Sequence, residues 1–189
     1  MMTNLIFRRF TVGRYPINGY VAADPDTRIG VFVDPGGFSE EIEVFVQERQ
    51  IQLQHIFITH GHWDHTEGLQ EFRCRYAVKS YAGRDEISTV TYQLRGGEMV
   101  EVGKIKFHAL SIPGHTPQGI SYYTPGCVFT GDALFCGSVG GTGSPKEARL
   151  QVDHIRKHIF TLPDDTVIFP AHGPMSTVGV EKYTNPFCL

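Results

Sequence analysis

Several sequence features that define common protein classes are absent from this chain. No run approaches about 18 consecutive apolar residues, so no membrane-spanning helix is expected. The four cysteines form no C-x-x-C pair, which removes the usual signal of a zinc ribbon or a thioredoxin-type redox site. The N-terminus carries no apolar secretory segment, and we therefore expect reduced thiols and a cytoplasmic location.

Long runs of positive charge are also missing from the sequence. The longest basic run is the pair Arg8-Arg9, and the formal net charge is −3 with histidine neutral. A protein that binds nucleic acid normally presents a basic face that neutralises phosphates. We therefore expect no nucleic-acid partner and no membrane partner, and we expect a small molecule as the ligand.

The composition is that of a folded domain. The chain has 189 residues, of which 41% are hydrophobic and 20% are charged. No repeat or linker is visible, so we expect one domain over residues 1–189, either monomeric or in a small homo-oligomer.

Strand-like and helix-like segments follow one another along the chain. Runs of β-branched and aromatic residues predict strands at 5–12, 17–22, 29–33, 55–59, 76–79, 99–102, 105–111, 120–123, 127–130 and 166–169. Apolar residues at helical spacing predict helices at 39–50, 66–72 and 83–94, and a further helix from residue 144. In that last helix, Ser144 and Glu147 form an S-x-x-E capping box around Pro145. The order predicts an α/β arrangement of sheets with helices on their outer faces.

Histidine is unusually abundant, with nine residues, and the densest group lies in the segment THGHWDH at 59–65. His60 and His62 are two positions apart at the end of a predicted strand, so their side chains point the same way. Asp64 and His65 follow where the chain turns, and they can address a second point nearby. Imidazole together with carboxylate suits zinc, iron or manganese. A polar loop in which Asp64 caps a helix is the alternative interpretation.

Three further donors each follow a predicted strand and have glycine beside them in the sequence. They are His115 in PGHT, Asp132 in TGDALF and His172 in PAHGP. Ligands gather where strand ends open into loops. Each residue alone is equally consistent with a turn or a surface position. Together they supply what two cations would still need: one more histidine for each, and a carboxylate able to bridge them.

The order T-H-x-H-x-D-H, then His, Asp and His, resembles the metallo-β-lactamase superfamily. The segments PGHT, TGDALF and PAHGP are similar to its glyoxalase II (hydroxyacylglutathione hydrolase) branch, Asp34 in VDPG matches the first family motif, and NPF at 185–187 resembles the tail of single-domain relatives. The resemblance implies an αββα sandwich of two mixed β-sheets flanked by helices. It also implies two divalent metal ions, zinc first, with iron or manganese as alternatives. The implied ligands are His60, His62 and His115 for the first metal, Asp64, His65 and His172 for the second, and Asp132 between them.

The resemblance also implies a mechanism. A hydroxide held between two cations is available at neutral pH and attacks the carbonyl carbon of a small thioester. Asp132, as the bridge, and Asp64, which also orients the hydroxide, are the implied catalytic residues. Asp34 and Thr59 are expected to hold imidazoles in place, although Asp34 is equally consistent with a plain turn residue.

Substrate choice is less well defined by the sequence. The glycine-rich segment CGSVGGTGS follows Asp132, and Cys136, Gly137, Gly140 and Gly141 are candidates for a substrate wall or for a simple connection to the next helix. Two-domain glyoxalase II enzymes carry a C-terminal helical domain for glutathione, whereas only a short tail follows His172 here. A mononuclear-iron persulfide dioxygenase, a lactonase and a non-catalytic metal-stabilised binding module remain alternatives.

Overall fold

The computed structural model of the protein describes residues 4–189, which form two six-stranded β-sheets with helices outside them. The strands of the first sheet are β1 (Ile6–Val12), β2 (Ile17–Ala23), β3 (Ile29–Val33), β4 (Gln52–Phe57), β5 (Lys79–Gly83) and β6 (Tyr92–Leu94). The strands of the second sheet are β7 (Met99–Val102), β8 (Ile105–Ser111), β9 (Ile120–Thr124), β10 (Cys127–Gly131), β11 (Val167–Pro170) and β12 (Ser176–Thr177).

Both sheets are mixed. In the first sheet the strands lie in chain order; β1, β2 and β3 pair antiparallel, and β3 to β6 pair parallel. In the second sheet the order is β12-β11-β10-β9-β8-β7, and only β10 and β11 pair parallel. Because parallel neighbours point the same way, the ends of β3, β4 and β5 lie along one edge of the first sheet.

The helices cover the outer face of each sheet. Their bounds are α1 (Glu40–Glu48), α2 (Trp63–Thr66), α3 (Leu69–Arg75), α4 (Pro145–His158) and α5 (Val178–Thr184). Ile42 of α1 and Phe72 of α3 pack with residues of the first sheet, while Ile155 of α4 and Val178 of α5 pack with residues of the second. A third apolar cluster fills the space between the sheets. The predicted αββα layering is confirmed.

The core between the sheets is rich in aromatic residues. Tyr20, Phe129 and Phe169 pack together with ring centroids 5.2–5.4 Å apart. Phe57 of the first sheet stacks on Tyr122 of the second, with centroids 4.3 Å apart and planes within 11°. Such pairs add to the stabilisation that comes from burying apolar area.

Helix α4 begins where the sequence predicts. Ser144 is its N-cap, and the Ser144 hydroxyl oxygen accepts a hydrogen bond from the Glu147 backbone N–H at 3.3 Å. Pro145 occupies the first turn, where its missing N–H costs nothing. No helix within residues 4–189 is both long enough and apolar enough to cross a bilayer.

The helix predicted over residues 83–94 is wrong. The chain turns after β5, with Asp85 at a left-handed φ of 64°, and residues 92–94 form β6, which pairs parallel with β5. Pairing with β5 holds Tyr92–Leu94 in extended backbone, and this tertiary contact prevails over the weak helical pattern. The C-terminal elements β12 and α5 had no predicted counterpart.

Three other boundaries differ from the prediction, and one is the strand predicted at 55–59, which spans Gln52–Phe57. The strand predicted at 76–79 begins only at Lys79, and the helix predicted at 66–72 is divided into α2 and α3. The division occurs at Gly68, whose backbone N–H donates to the Pro35 carbonyl at 2.8 Å. A Cβ at Gly68 would come within 2.8 Å of Gly37, so this close approach requires glycine.

We expect Tyr122→Phe to lower the free energy of unfolding by about 1–3 kcal/mol, because two buried carbonyls would lose a donor. The Tyr122 hydroxyl lies 3.0 Å from the Ile58 carbonyl oxygen and 3.1 Å from that of Tyr81. Urea denaturation measures the change. Tyr123→Phe, on the half-buried opposite face of the same strand, is the matched control and should change stability by less than about 0.5 kcal/mol. Equal effects of the two variants would contradict the role of the Tyr122 hydroxyl.

Candidate metal centre

The candidate site lies at one edge of the sandwich, where the two sheets meet. His60, His62, Asp64 and His65 follow β4 of the first sheet, whereas His115, Asp132 and His172 follow β8, β10 and β11 of the second. Backbone hydrogen bonds join the sheets here, from Ile120 N–H to the Thr59 carbonyl and from Asn18 N–H to the Ala171 carbonyl, both at 2.8 Å. The structure therefore brings together all seven side chains that the sequence analysis singled out.

Three imidazoles converge in a first group. The Nε2 atom of His60 lies 2.9 Å from Nδ1 of His62, and Nε2 of His115 lies 3.1 Å from the same atom. Two nitrogens bound to one tetrahedral zinc at its usual bond length are about 3.3 Å apart. The spacing of these three nitrogens is therefore suited to one cation.

Asp64, His65 and His172 form a second group around a neighbouring point. The Asp64 Oδ2 atom lies 3.8 Å from Nε2 of His65 and 3.7 Å from Nε2 of His172. Here the donor set mixes one carboxylate with two imidazoles, which suits zinc, iron or manganese.

Asp132 stands between the two groups. Its Oδ1 atom is 3.4 Å from Nε2 of His65 and 3.6 Å from Nε2 of His172, on the side of the second group. Its Oδ2 atom is 3.5 Å from Nε2 of His115, on the side of the first group. One carboxylate thus offers one oxygen to each group.

Two of these donor atoms are buried without a hydrogen-bond partner. They are Nε2 of His65 and Oδ1 of Asp132. A buried polar atom left unpaired costs free energy, and native proteins rarely leave one without a reason. A divalent cation would satisfy these lone pairs, so the residues present fit the metal ions that the family resemblance implies.

The charges within the cluster are strongly coupled. Burial and the neighbouring imidazoles hold the pKa of His60 far below its usual 6.5. Burial alone would also lower the pKa of His65, but Asp34 and Asp132 outweigh it and raise that pKa to about 10. Burial opposes ionisation of Asp132, yet His65, His172 and His115 keep its pKa below the ordinary 3.8. At neutral pH the site therefore holds an ionised Asp132 beside a neutral His60.

Asp34 and Thr59 contact the imidazoles from outside the cluster. The Thr59 hydroxyl lies 2.9 and 3.0 Å from the two Asp34 carboxylate oxygens and 3.2 Å from Nδ1 of His60. Since the hydroxyl donates to Asp34, its oxygen accepts from His60 Nδ1–H, which leaves the His60 Nε2 lone pair facing the cluster. Asp34 Oδ2 is also 3.2 Å from Nδ1 of His65. Asp34 has a left-handed φ of 54°, a conformation seldom adopted by residues other than glycine.

Asn18 has a structural role at the site that the sequence analysis missed. Its side-chain amide donates to the carbonyls of Pro170 and Gly173, at 3.0 and 2.9 Å, and so holds both ends of the loop that carries His172. The Tyr20 hydroxyl donates to the same Pro170 carbonyl at 2.6 Å. A buried amide in the otherwise apolar strand INGYVAA was the available signal.

The glycine-rich segment after Asp132 contacts the cluster through Gly140 and Gly141. The Gly141 carbonyl accepts from Nδ1–H of His115 at 2.6 Å, which leaves Nε2 of His115 with its lone pair toward the cluster. A Cβ at Gly140 would come within 2.0 Å of the Asp132 carbonyl oxygen. Cys136 is exposed, and the Gly137 N–H donates to Glu181 in α5 at 2.9 Å. None of these contacts involves a substrate, so a substrate wall formed by Cys136, Gly137, Gly140 and Gly141 stays a prediction.

A groove of about 500 Å³ opens beside the exposed His62. Gly61, Arg84, Thr116 and Gln118 are among its lining residues. Small-molecule sites in proteins commonly have volumes of roughly 300–1,000 Å³. The groove is thus large enough for a small ligand next to the first group.

The remaining histidines belong to other parts of the fold. His154 and His158 lie one turn apart on α4 with ring centroids 5.5 Å apart, and Nδ1 of His154 is 3.0 Å from the Ser111 carbonyl. His108 lies on β8 and His55 on β4. None of the four joins the metal-compatible groups found among residues 4–189.

Comparison with known proteins identifies relatives of this chain. The family model of the metallo-β-lactamase superfamily matches residues 12–172. The probable metallo-hydrolase YqgX of Bacillus subtilis is 30% identical over 96% of this chain and 96% of its own length. The hydroxyacylglutathione hydrolase GloC of Haemophilus influenzae is 27% identical over 86% of this chain and 88% of its own length. The chain spans only 62% of the hydroxyacylglutathione hydrolase of Legionella pneumophila strain Corby, which is 37% identical over 82% of this chain.

Solved structures share the fold. The BLEG-1 B3 metallo-β-lactamase superposes with a TM-score of 0.87 at 27% identity, covering 97% of this chain and 99% of its own. ETHE1 from Myxococcus xanthus has a TM-score of 0.82 at 32% identity, with coverages of 96% and 83%. TTHA1623 in a di-iron-bound form has a TM-score of 0.78 at 26% identity, with coverages of 95% and 99%.

We expect reloading of the chelator-stripped protein with Zn²⁺ to raise its melting temperature. At a free metal concentration about 1,000 times Kd, binding adds about 4 kcal/mol of stability. About 1 kcal/mol corresponds to roughly 2–4 °C in a domain of this size. Calorimetry measures the shift, and Ca²⁺ is the control because it prefers sites built from oxygen ligands. An unchanged melting temperature with Zn²⁺ would show that the cluster does not bind this metal.

Proposed function

Because this chain belongs to the metallo-β-lactamase superfamily, we propose that it is a hydrolase that holds two divalent metal ions and cleaves a small thioester. The observation that carries the proposal is the position of Asp132, which has one carboxylate oxygen near His115 of the first group and the other near His65 and His172 of the second. Seven metal-compatible side chains at one edge of the fold are more than a single structural ion requires.

The residues that would hold the two ions divide as the geometry suggests. His60, His62 and His115 would hold one, and the second group, Asp64, His65 and His172, would hold the other, with Asp132 shared. Bound divalent ions supply a water molecule of lowered pKa and polarise the substrate carbonyl.

Two carboxylates of this chain act on the reacting atoms in our proposal. The ionised Asp132 balances positive charge at the centre of the cluster. The Asp64 side chain is 20% exposed, so it can orient an attacking water and accept its proton on the open side of the site. A thiolate is a good leaving group, and expelling it requires no acid from the protein. Hydrolysis of a thioester therefore requires no acid–base group of the protein beyond Asp64.

The relatives support the choice of substrate class. GloC is named a hydroxyacylglutathione hydrolase, and it matches this chain over most of both lengths. The groove beside His62 has room for the acyl or the thiol part of such a thioester. We propose a hydroxyacylglutathione-type thioester as the substrate.

Zinc is the metal that we propose. The first group is purely imidazole, a ligand set that zinc accepts readily, but iron and manganese bind the same donors. The di-iron-bound TTHA1623 shows that a relative with this fold binds iron. The proposal places the enzyme in the cytoplasm, where the exposed thiols of Cys74 and Cys136 would remain reduced.

Metal analysis of the purified protein together with a turnover panel tests the proposal. The panel contains lactoylglutathione, other acyl thioesters, a lactone, and glutathione persulfide with oxygen uptake. We expect two equivalents of metal and thioester hydrolysis without oxygen consumption. One iron with oxygen consumption would instead establish a persulfide dioxygenase, lactone turnover alone a lactonase, and two metals without turnover a binding module.

We expect His62→Ala to lower kcat by at least about 100-fold and to remove one equivalent of metal, because an exposed ligand is lost from the first group. The exposure of His62 means that the fold should survive, which circular dichroism checks. His108→Ala, at another exposed histidine outside the metal-compatible groups, should retain full turnover and both metals. Full turnover in His62→Ala would contradict the proposed ligand set.

A further inference from the structure

Glu86 makes an unusual pair of hydrogen bonds next to the candidate metal centre. It lies in the connection between β5 and β6, within the segment that the sequence analysis predicted to be a helix. Its Oε2 atom accepts from the Gly61 backbone N–H at 2.9 Å, and its Oε1 atom accepts from the Gln118 backbone N–H at 2.8 Å. Hydrogen bonds to an ionised acceptor are about twice as strong as neutral ones.

The two amides belong to different loops, and those loops carry the first group of imidazoles. Gly61 lies between His60 and His62, after β4 of the first sheet. Gln118 lies three residues after His115, in the loop between β8 and β9 of the second sheet. One carboxylate therefore connects the loop of His60 and His62 to the loop of His115.

The backbone around Glu86 is packed to allow this connection. A Cβ at Gly61 would come within 2.6 Å of the Glu86 carbonyl oxygen, and a Cβ at Gly83 would come within 1.8 Å of the Gln118 carbonyl oxygen. Glycine at both positions lets the connection between β5 and β6 contact the loop of Gly61 and the loop of Gln118. The nearby Arg84 guanidinium pairs with Asp85 at 3.2 Å, and the Glu86 oxygens bond to the two amides.

We propose that Glu86 is a positioning residue that sets the distance between His115 and the pair His60 and His62. This inference rests on the proposed function, because it takes these three imidazoles as ligands of one metal ion. Since a metal site tolerates only small ligand displacements, freeing the two loops would weaken metal binding. Loss of groups that orient metal ligands typically costs roughly 10–100-fold in metal affinity or activity.

The structure offers a matched control for the removal of such a carboxylate. Glu98 also accepts from two backbone amides, those of Arg95 and Gly96, both at 2.8 Å. These bonds close a turn between β6 and β7 and involve none of the seven clustered residues. Glu98→Ala thus removes the same chemistry elsewhere in the fold.

The experiment measures Zn²⁺ affinity by competition with a chromophoric chelator, and kcat and KM at limiting and at saturating Zn²⁺. The proteins compared are the wild type, Glu86→Ala, Glu86→Gln and Glu98→Ala. We expect Glu86→Ala to lower the affinity for one of the two Zn²⁺ ions roughly 10–100-fold. It should also lower kcat while KM changes little, and kcat should recover in part at saturating Zn²⁺. Glu86→Gln, which keeps one acceptor oxygen, should be intermediate, and it replaces the alanine variant if that variant does not fold. Glu98→Ala should bind Zn²⁺ like the wild type.

Other outcomes separate this inference from the function on which it rests. Wild-type Zn²⁺ affinity and kcat in the Glu86 variants would overturn the inference and leave the hydrolase proposal standing. Equal loss of Zn²⁺ in the Glu86 and Glu98 variants would also overturn it, because the effect would then be general destabilisation. A wild type that binds two Zn²⁺ ions but cleaves no thioester would refute the proposed thioester hydrolase, while the affinity series would still decide the role of Glu86. A wild type that binds no Zn²⁺ would overturn both.

Discussion

The hydrogen bonds that join the two sheets along one edge are the constraint on which the rest of the structure depends. Backbone bonds connect Thr59 to Ile120 and Asn18 to Ala171, and each joins a residue of the first sheet's edge to one of the second's. The Tyr122 hydroxyl adds a further contact between the sheets, because its single hydrogen is shared between the Ile58 and Tyr81 carbonyls of the first sheet. These contacts bring the loop after β4 against the loops of the second sheet, and the candidate site consists of side chains from both sides of that junction.

The site gains its chemistry at a cost in stability. Nε2 of His65 and Oδ1 of Asp132 are buried without hydrogen-bond partners, and Asp34, which contacts Nδ1 of His65, has a left-handed backbone. Proteins tolerate such features where function requires them and where the surrounding fold is stable enough. The aromatic core between the sheets, including the stacked Phe57 and Tyr122, contributes that stability. A cation bound in the cluster would supply the partner that Nε2 of His65 and Oδ1 of Asp132 lack.

Much of this arrangement could be predicted from the sequence, for reasons that differ between residues. The segment THGHWDH predicts a cluster because its donors are close along the chain. Asp132 and His172 could be placed because each follows a buried strand directly, and strand ends in layered folds meet at one edge. The order of strands and helices predicted sheets with helices on their outer faces, the family resemblance specified the αββα sandwich, and the structure confirms both.

The features that the sequence analysis missed depend on contacts between segments that are far apart in the sequence. Glu86 acts through backbone amides 25 and 32 residues away, and no local pattern reveals such a bond. The Gly141 carbonyl reaches His115 in the same way, over 26 residues. The helix wrongly predicted at 83–94 arose because β6 has only three residues and its pairing with β5, rather than local propensity, determines its conformation.

The central claim is that one cluster of seven side chains binds two metal ions. Crystals of the Zn²⁺-loaded protein, with diffraction recorded on both sides of the zinc absorption edge, test it most directly. The account predicts two anomalous peaks roughly 3.5–4 Å apart. One should contact His60, His62 and His115, the other Asp64, His65 and His172, with Asp132 between them. A single peak bound by two imidazoles and one carboxylate, or no peak in the cluster, would contradict it.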